Sequence, residues 1–200
     1  MSASTQSTPP APLRSRWRAI DFLTAAMLAV AFGVCFWVFD TFIYPVVSLA
    51  FVVFPPLGEL ALGVWLIPAV VAALIIRKPG AALFTEFVAA NIELILGNQW
   101  GFEVLLSAIL QGVAVEVVFA LFLWKRFGVG IAALAGAVSA GLEIVALEWW
   151  THVFDYEWSW KLVFLASGVI SGAVIAGLGS FAIVRGLARA GALKAFPAGR

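Results

Sequence analysis

The sequence predicts an all-α fold: a polytopic integral membrane protein with six transmembrane helices and both termini in the cytoplasm. Three observations predict it. Apolar residues make up 64% of the 200-residue chain and charged residues 12%, against about a quarter charged in an ordinary soluble domain. Mean hydropathy is +1.07. The apolar residues come in long runs and do not alternate, which excludes an outer-membrane barrel. The formal net charge is +1, with the cations dispersed in small groups, so nothing points to nucleic acid. The single cysteine, Cys35, lies inside an apolar run and offers neither a disulfide nor a metal cluster.

The first 16 residues are polar and Pro-rich and read as the core of a disordered cytoplasmic tail spanning 1–18. They do not read as a signal peptide, because the apolar stretch after Arg18 has no small-residue cleavage site and is long enough to span. A six-helix domain follows over 19–185, with spans expected at 19–39, 57–76, 80–97, 103–124, 129–150 and 161–184. Each is near the ~20 residues a hydrocarbon core requires. Between the first two lies 40–56, whose apolar part is too short for a span and is bracketed by Pro45 and Pro55-Pro56. It reads as an interfacial or re-entrant loop over the outer face. Residues 186–200 read as a cytoplasmic C-terminal tail.

The cations orient the bundle. Arg14, Arg16 and Arg18 precede the first span, Arg77 and Lys78 follow the second, Lys125 and Arg126 the fourth, and Arg185, Arg189, Lys194 and Arg200 the sixth. Six spans put all of these on one side, which the positive-inside rule makes cytoplasmic. Only Lys161 falls opposite, while Asp40, Glu59, Glu103, Asp155 and Glu157 sit at or near the outer ends.

Polar residues at depth single out candidate site positions, because an ionisable side chain inside an apolar span needs a partner, a proton or a ligand. At ~1.5 Å per residue, Glu93, Gln111 and Glu143 each lie roughly 21 Å from the cytoplasmic end of their helices, so three helices share one polar layer in the outer third of the membrane. Glu59 and the loop Asn98-Gln99-Trp100 sit just above it, and Glu86 and Glu116 form a second layer near mid-membrane. Simpler readings stand beside these. Glu103, Asp155 and Glu157 read as solvated ends, Glu148 equally as an interface residue or a ligand, and Glu116 equally as a structural carboxylate. Most tryptophans near span ends read as an aromatic belt, but Trp100, in a tight loop closed by Gly101, can present its ring to a ligand. Acids and aromatics without a basic residue in the outer half, Lys161 apart, suit a cation or a molecule rich in hydrogen-bond donors. Small-residue stripes occur at Ala25, Ala29 and Gly33, and at Gly168, Gly172 and Ala176; such stripes let helix backbones approach closely.

The sequence has no phosphate-binding G-x-x-x-x-G-K-[ST] loop and no H-E-x-x-H, and its one histidine, His152, lies at the outer end of the fifth span. An enzyme is therefore not expected, nor is a cofactor or a metal. No inverted repeat of three spans is evident, which counts against a secondary transporter.

The run ELALGVWLIPAVVAALIIRKPGAALFTEFVAANIELILGNQWG, followed by QGVAVEVVFALF, resembles the YkoE family of substrate-binding S components of energy-coupling factor (ECF) transporters. The resemblance covers roughly residues 19–185, and its specific part is the spacing RKPG…E…E…GNQWG. It implies a six-helix bacterial inner-membrane protein without ATPase activity, capturing thiamine or its hydroxymethylpyrimidine precursor. It also implies a transmembrane coupling subunit and two cytoplasmic ABC ATPase subunits as partners. The family's Ala-x-x-x-Ala motif on the first helix, which meets the coupling subunit, matches Ala25 and Ala29, and the family's gating loop corresponds to 40–56. On this reading Glu93, Gln111 and Glu143, helped by Glu59 and Asn98, hydrogen-bond an aminopyrimidine. Trp100, Trp65 and Tyr44 stack on the rings, and Glu86 and Glu116 support the site. The alternative is a stand-alone proton- or cation-coupled carrier of a small cationic solute.

Overall fold

The computed structural model describes residues 16–199. Most of the tail expected over 1–18, including Arg14, and the terminal Arg200 lie outside the described residues. Six long helices account for nearly all the rest: α1 Ala19–Ala50, α2 Pro55–Ile76, α3 Ala81–Leu96, α4 Glu103–Leu121, α5 Val129–Thr151 and α6 Trp158–Arg189. All but α3 are long and apolar enough to cross a membrane. The 16 residues of α3 fall short of that length.

Helix α2 is the core. Its only acid is Glu59, near its start, and from Pro68 to Ile76 every side chain is buried. The other helices pack around it in the order α1, α3, α4, α5, α6. Pro55 and Pro56 lack backbone donors, and the chain enters α2 as a narrow 3-10 helix over Pro55–Val64 before relaxing to α from Ile67. Ser171 of α6 stitches this entry: its hydroxyl accepts from Gly63 N at 2.9 Å and donates to Leu60 O at 2.6 Å.

The expected outer loop at 40–56 is mostly helix. Helix α1 continues through Phe39–Ile43 as a π segment and on to Ala50, leaving a turn only over 51–54. The nine apolar or small residues between Pro45 and Pro55 are too few for a span but ample to extend an existing helix, whose nucleation is already complete. The C-terminal stretch is likewise no free tail. Helix α6 runs to Arg189, and Leu193 and Phe196 then return to the core with 5% and 4% exposure.

The small-residue stripes are internal seams. Ala25 and Ala29 are fully buried and α1 packs on α3 through them, where a Cβ at Gly33 would sit 2.6 Å from Ala89 O. This corrects the partner-interface reading of Ala25 and Ala29: side chains closed off within the chain present nothing to another subunit. The exposed face of α1 carries Leu23, Met27, Val30 and Val34 instead. Helices α5 and α6 approach still more closely, since a Cβ at Gly136 would lie 2.0 Å from Gly172 O.

The cation groups gather at one end of the bundle. Trp17 donates to Pro79 O at 2.9 Å, Lys78 to Arg16 O at 2.8 Å and to the buried Asp21, and Arg18 to Ala195 O at 3.4 Å. The Arg77 guanidinium lies 4.7 Å from the Phe127 ring centroid, which brings the turn after α4 to the same end.

Candidate functional site: an acid-lined cavity at the opposite end

At the other end of the bundle a cavity of about 550 Å³ opens between α1, the 3-10 entry of α2, α3, α4 and α5. Seven of the predicted contact residues line it: Tyr44, Glu59, Trp65, Glu93, Trp100, Gln111 and Glu143. Glu86 lines its floor. Among the described residues no Lys or Arg lines the cavity, whereas six carboxyl side chains do, those of Glu59, Glu86, Glu93, Glu103, Glu143 and Glu148.

The acids differ in what holds them. Glu143 is satisfied from α4, accepting from Gln111 Nε2 at 2.7 Å and from the Ser107 hydroxyl. Gln111 also donates to Ser107 Oγ at 2.8 Å, and Ser139 donates to the Gln111 carbonyl at 3.1 Å. Glu86 accepts the backbone N–H of Ala69 at 2.8 Å, capping the first α-helical turn after Pro68. Glu93, Glu59 and Glu148 each keep one buried oxygen without a hydrogen-bond partner. Glu93 has Asp40 as a neighbour, and Glu59 has Glu148. Neighbouring acids away from Lys and Arg in an apolar bundle favour a proton, a cation or a hydrogen-bond donor beside them.

Two acids of these pairs come from π segments. Asp40 lies in Phe39–Ile43 of α1 and Glu148 ends Ile144–Glu148 of α5. The wider turn of a π segment rotates the following residues off the face that 3.6-residue periodicity assigns them. Asp40 is thereby buried, with Oδ1 accepting from Trp65 Nε1 at 3.1 Å. Neither the burial of Asp40, expected at an outer helix end, nor the place of Glu148 in the cavity wall, left open between interface and ligand, is legible from spacing.

Aromatic rings close the mouth. Tyr44 packs edge-on against Trp65 and Trp100, with centroids 5.4 and 5.5 Å apart, and Trp100 lies 5.5 Å from His152. His152 Nε2 is 3.5 Å from Glu103 Oε1. Both residues line the cavity, so Glu103 is not the solvated end that its position in the sequence suggests. Tyr156, in the loop between α5 and α6, also faces the cavity, and burial together with Asp155 raises its pKa above the ordinary value, keeping the phenol neutral.

Asn98 and Glu116 stand apart from the cavity lining. Asn98 Oδ1 accepts from Trp100 N at 2.9 Å and Gly101 N at 2.6 Å, so it shapes the loop that presents Trp100 and does not face the ligand space. Glu116 accepts from Gly80 N at 2.9 Å and Ala82 N at 2.7 Å at the start of α3. It lies about a turn below Glu86 rather than level with it, because its long side chain reaches toward the unpaired N–H groups of that helix start. Lys161 is not part of the cavity lining; its Nζ donates to Phe154 O at 3.1 Å near the Trp158 ring. Among the described residues, no three His, Cys, Asp or Glu side chains are grouped so as to hold a metal ion.

Known proteins share this architecture. Residues 20–142 match the model of a family described as ABC-type cobalt transport system, permease component. The chain is 32% identical over 185 residues to YkoE of Bacillus subtilis (strain 168), which carries the provisional name HMP/thiamine permease protein; the match covers 92% of this chain and 91% of that one. The chain belongs to the YkoE family. A crystal structure of an S component of an ECF transporter superposes with a TM-score of 0.85 at 33% identity, covering 92% of each chain. The cavity is thus set in an S-component fold, that of a multi-pass, substrate-binding membrane subunit rather than an enzyme.

Proposed function

We propose that this S component captures thiamine or its hydroxymethylpyrimidine precursor from outside the cell, and that the cavity between Glu93 and Glu143 is where it binds. The observation that carries the reading is the cavity wall: six carboxyls, an aromatic mouth and no Lys or Arg. A thiazolium cation is held by carboxylates and by ring faces, and an aminopyrimidine edge pairs with a carboxylate through two hydrogen bonds. Glu93, with its unpartnered oxygen, is the first contact; Glu59 and Glu143 flank it, and Trp65, Tyr44 and Trp100 stack on the ligand rings. The B. subtilis relative's name points to the same substrate class.

On this reading α3 also spans, bringing the spans to six, the cation-bearing end faces the cytoplasm of a bacterial inner membrane, and both termini lie inside. The segment 40–56 gates the cavity by moving Tyr44 relative to Trp100. A transmembrane coupling subunit and two ABC ATPase subunits supply the energy for inward release, and contact with α1 runs through its exposed Leu23, Met27, Val30 and Val34 face.

Calorimetric titration of the purified protein with thiamine, hydroxymethylpyrimidine and thiamine pyrophosphate tests the substrate. Binding of either of the first two, with the pyrophosphate much weaker, is expected, since a phosphate would face carboxylates. Silence toward both overturns it. Uptake by the isolated protein in liposomes, driven by a pH gradient alone, would favour the stand-alone carrier.

A further inference from the structure

A second niche lies at the cation-bearing end. It encloses about 210 Å³ between Leu74 and Arg77 at the end of α2, Phe127 before α5, Phe181 and Arg185 of α6, and the returning C-terminal segment. Arg77 ends α2 in the left-handed region, φ 56°, and its Nε donates to Leu74 O at 3.1 Å. That bond fixes the base of the side chain and leaves the remaining guanidinium N–H groups free to face the niche. Its Cζ lies 4.7 Å from the Phe127 centroid, and that of Arg185 lies 5.7 Å from the Phe181 centroid. Among the described residues no carboxylate lines the niche. Among the described residues neither guanidinium has an acid within ion-pair distance.

Two arginines share a half-apolar hollow without an acid between them, and burial lowers the pKa of Arg77 from its ordinary value. Such a pair is stabilised by an anion that two planar donor forks can chelate, and phosphate oxygens match that geometry. The niche also sits where span meets water. Helix α2 ends at Ile76, and Leu178, one turn before the niche residue Phe181 on α6, is an exposed apolar side chain. A ligand with a phosphate at the boundary and hydrocarbon alongside fits both features, and basic hollows between spans at this level suit anionic lipid headgroups.

We infer that the Arg77–Arg185 niche is a binding site for the headgroup phosphate of an anionic phospholipid. The inference does not depend on which vitamin the outer cavity takes. A bound lipid bridges α2 to α6 and ties the cation-bearing end of the bundle to its leaflet.

The test uses the full-length protein, delipidated in detergent. It is titrated with phosphatidylglycerol, phosphatidylcholine or inorganic phosphate, and followed by native mass spectrometry and thermal shift. Phosphatidylglycerol should bind at least tenfold more tightly than phosphatidylcholine and raise the melting temperature. Arg185→Gln should remove most of that preference, while Arg189→Gln, outside the niche, should leave it within twofold. Arg77→Gln should act like Arg185→Gln; if its strained position prevents folding, Arg185→Gln decides alone. Equal binding of the two lipids, or an unchanged preference in Arg185→Gln, overturns the site. Inorganic phosphate acting as strongly as the lipid overturns the lipid as its source. If Arg185→Gln instead weakens assembly with the coupling subunit in phosphatidylcholine nanodiscs and leaves lipid binding intact, the surface belongs to a protein partner and the inference fails.

Discussion

Gln111 Nε2 donates to Glu143 Oε2 at 2.7 Å, while the Ser107 hydroxyl donates to the other oxygen of the same carboxylate. Glu143 is thereby saturated from α4, whereas Glu93 on the α3 wall keeps Oε1 buried without a partner. Two acids placed at one depth by helical rise differ in availability: one holds helices together, the other keeps a buried oxygen free of protein partners. Replacing Gln111 by Leu should strand a buried carboxylate oxygen and cost about 1–3 kcal/mol of stability. A lowered melting temperature in detergent is the readout, and an unchanged one would show that the bond carries no structural weight.

Glu93→Gln keeps the shape and removes the charge. Losing a charge-assisted hydrogen bond should weaken thiamine binding by roughly ten- to a hundredfold. The fold should be intact or slightly more stable, because the crowding with Asp40 is relieved. Calorimetry at wild-type affinity would take Glu93 out of the site.

Trp100 bridges Tyr44 and His152 across the mouth at 5.5 Å from each. Trp100→Ala should speed ligand dissociation by roughly two- to tenfold, in line with the worth of an aromatic pair, with association little changed. Trp100→Phe should recover most of the residence time. Stopped-flow fluorescence, reading the remaining tryptophans, separates the two rates.

Glu116 accepts from the first turn of α3 and lies outside the cavity. Glu116→Ala should destabilise the protein by about 1–3 kcal/mol, since it leaves helix-start N–H groups without their partly buried acceptor, with thiamine affinity unaltered in the protein that remains folded. A selective loss of affinity would reassign it to the site.

The α5–α6 seam makes the sharpest stability prediction. Gly136→Ala forces a Cβ to within 2.0 Å of Gly172 O, backbone that cannot step aside, so folded yield on size-exclusion chromatography should collapse. Gly130→Ala, with nothing within 4 Å, should be neutral.

Much of the fold was legible before any coordinates. Hydrophobic length is a sum over consecutive residues, so five of the expected spans coincide with helices long enough to cross a membrane, and the third with the shorter α3. The cation groups converge on one end because every second turn returns the chain there. The site was legible in part. Helical rise places Gln111 and Glu143 at one height, and the structure bonds them directly.

Other features were settled by neighbours that are remote in sequence. Ala25 and Ala29 form a small stripe that suits either a partner or an internal seam; only the approach of α3 shows that the seam uses it. Asn98 has the chemistry of a ligand contact, yet the loop's own backbone claims its oxygen. His152 and Glu103 read as end groups until folding brings them to the same wall.

By itself, then, the sequence determined the membrane class, the helical spans, the segregation of cations from acids and the acidic character of the site, because these depend on composition and on rise along the chain. The tertiary structure decided which way each acid faces. The π segments at Phe39–Ile43 and Ile144–Glu148 and the 3-10 entry at Pro55–Val64 change the angular step per residue. An angle accumulated along a helix cannot be read from a spacing that assumes one constant turn.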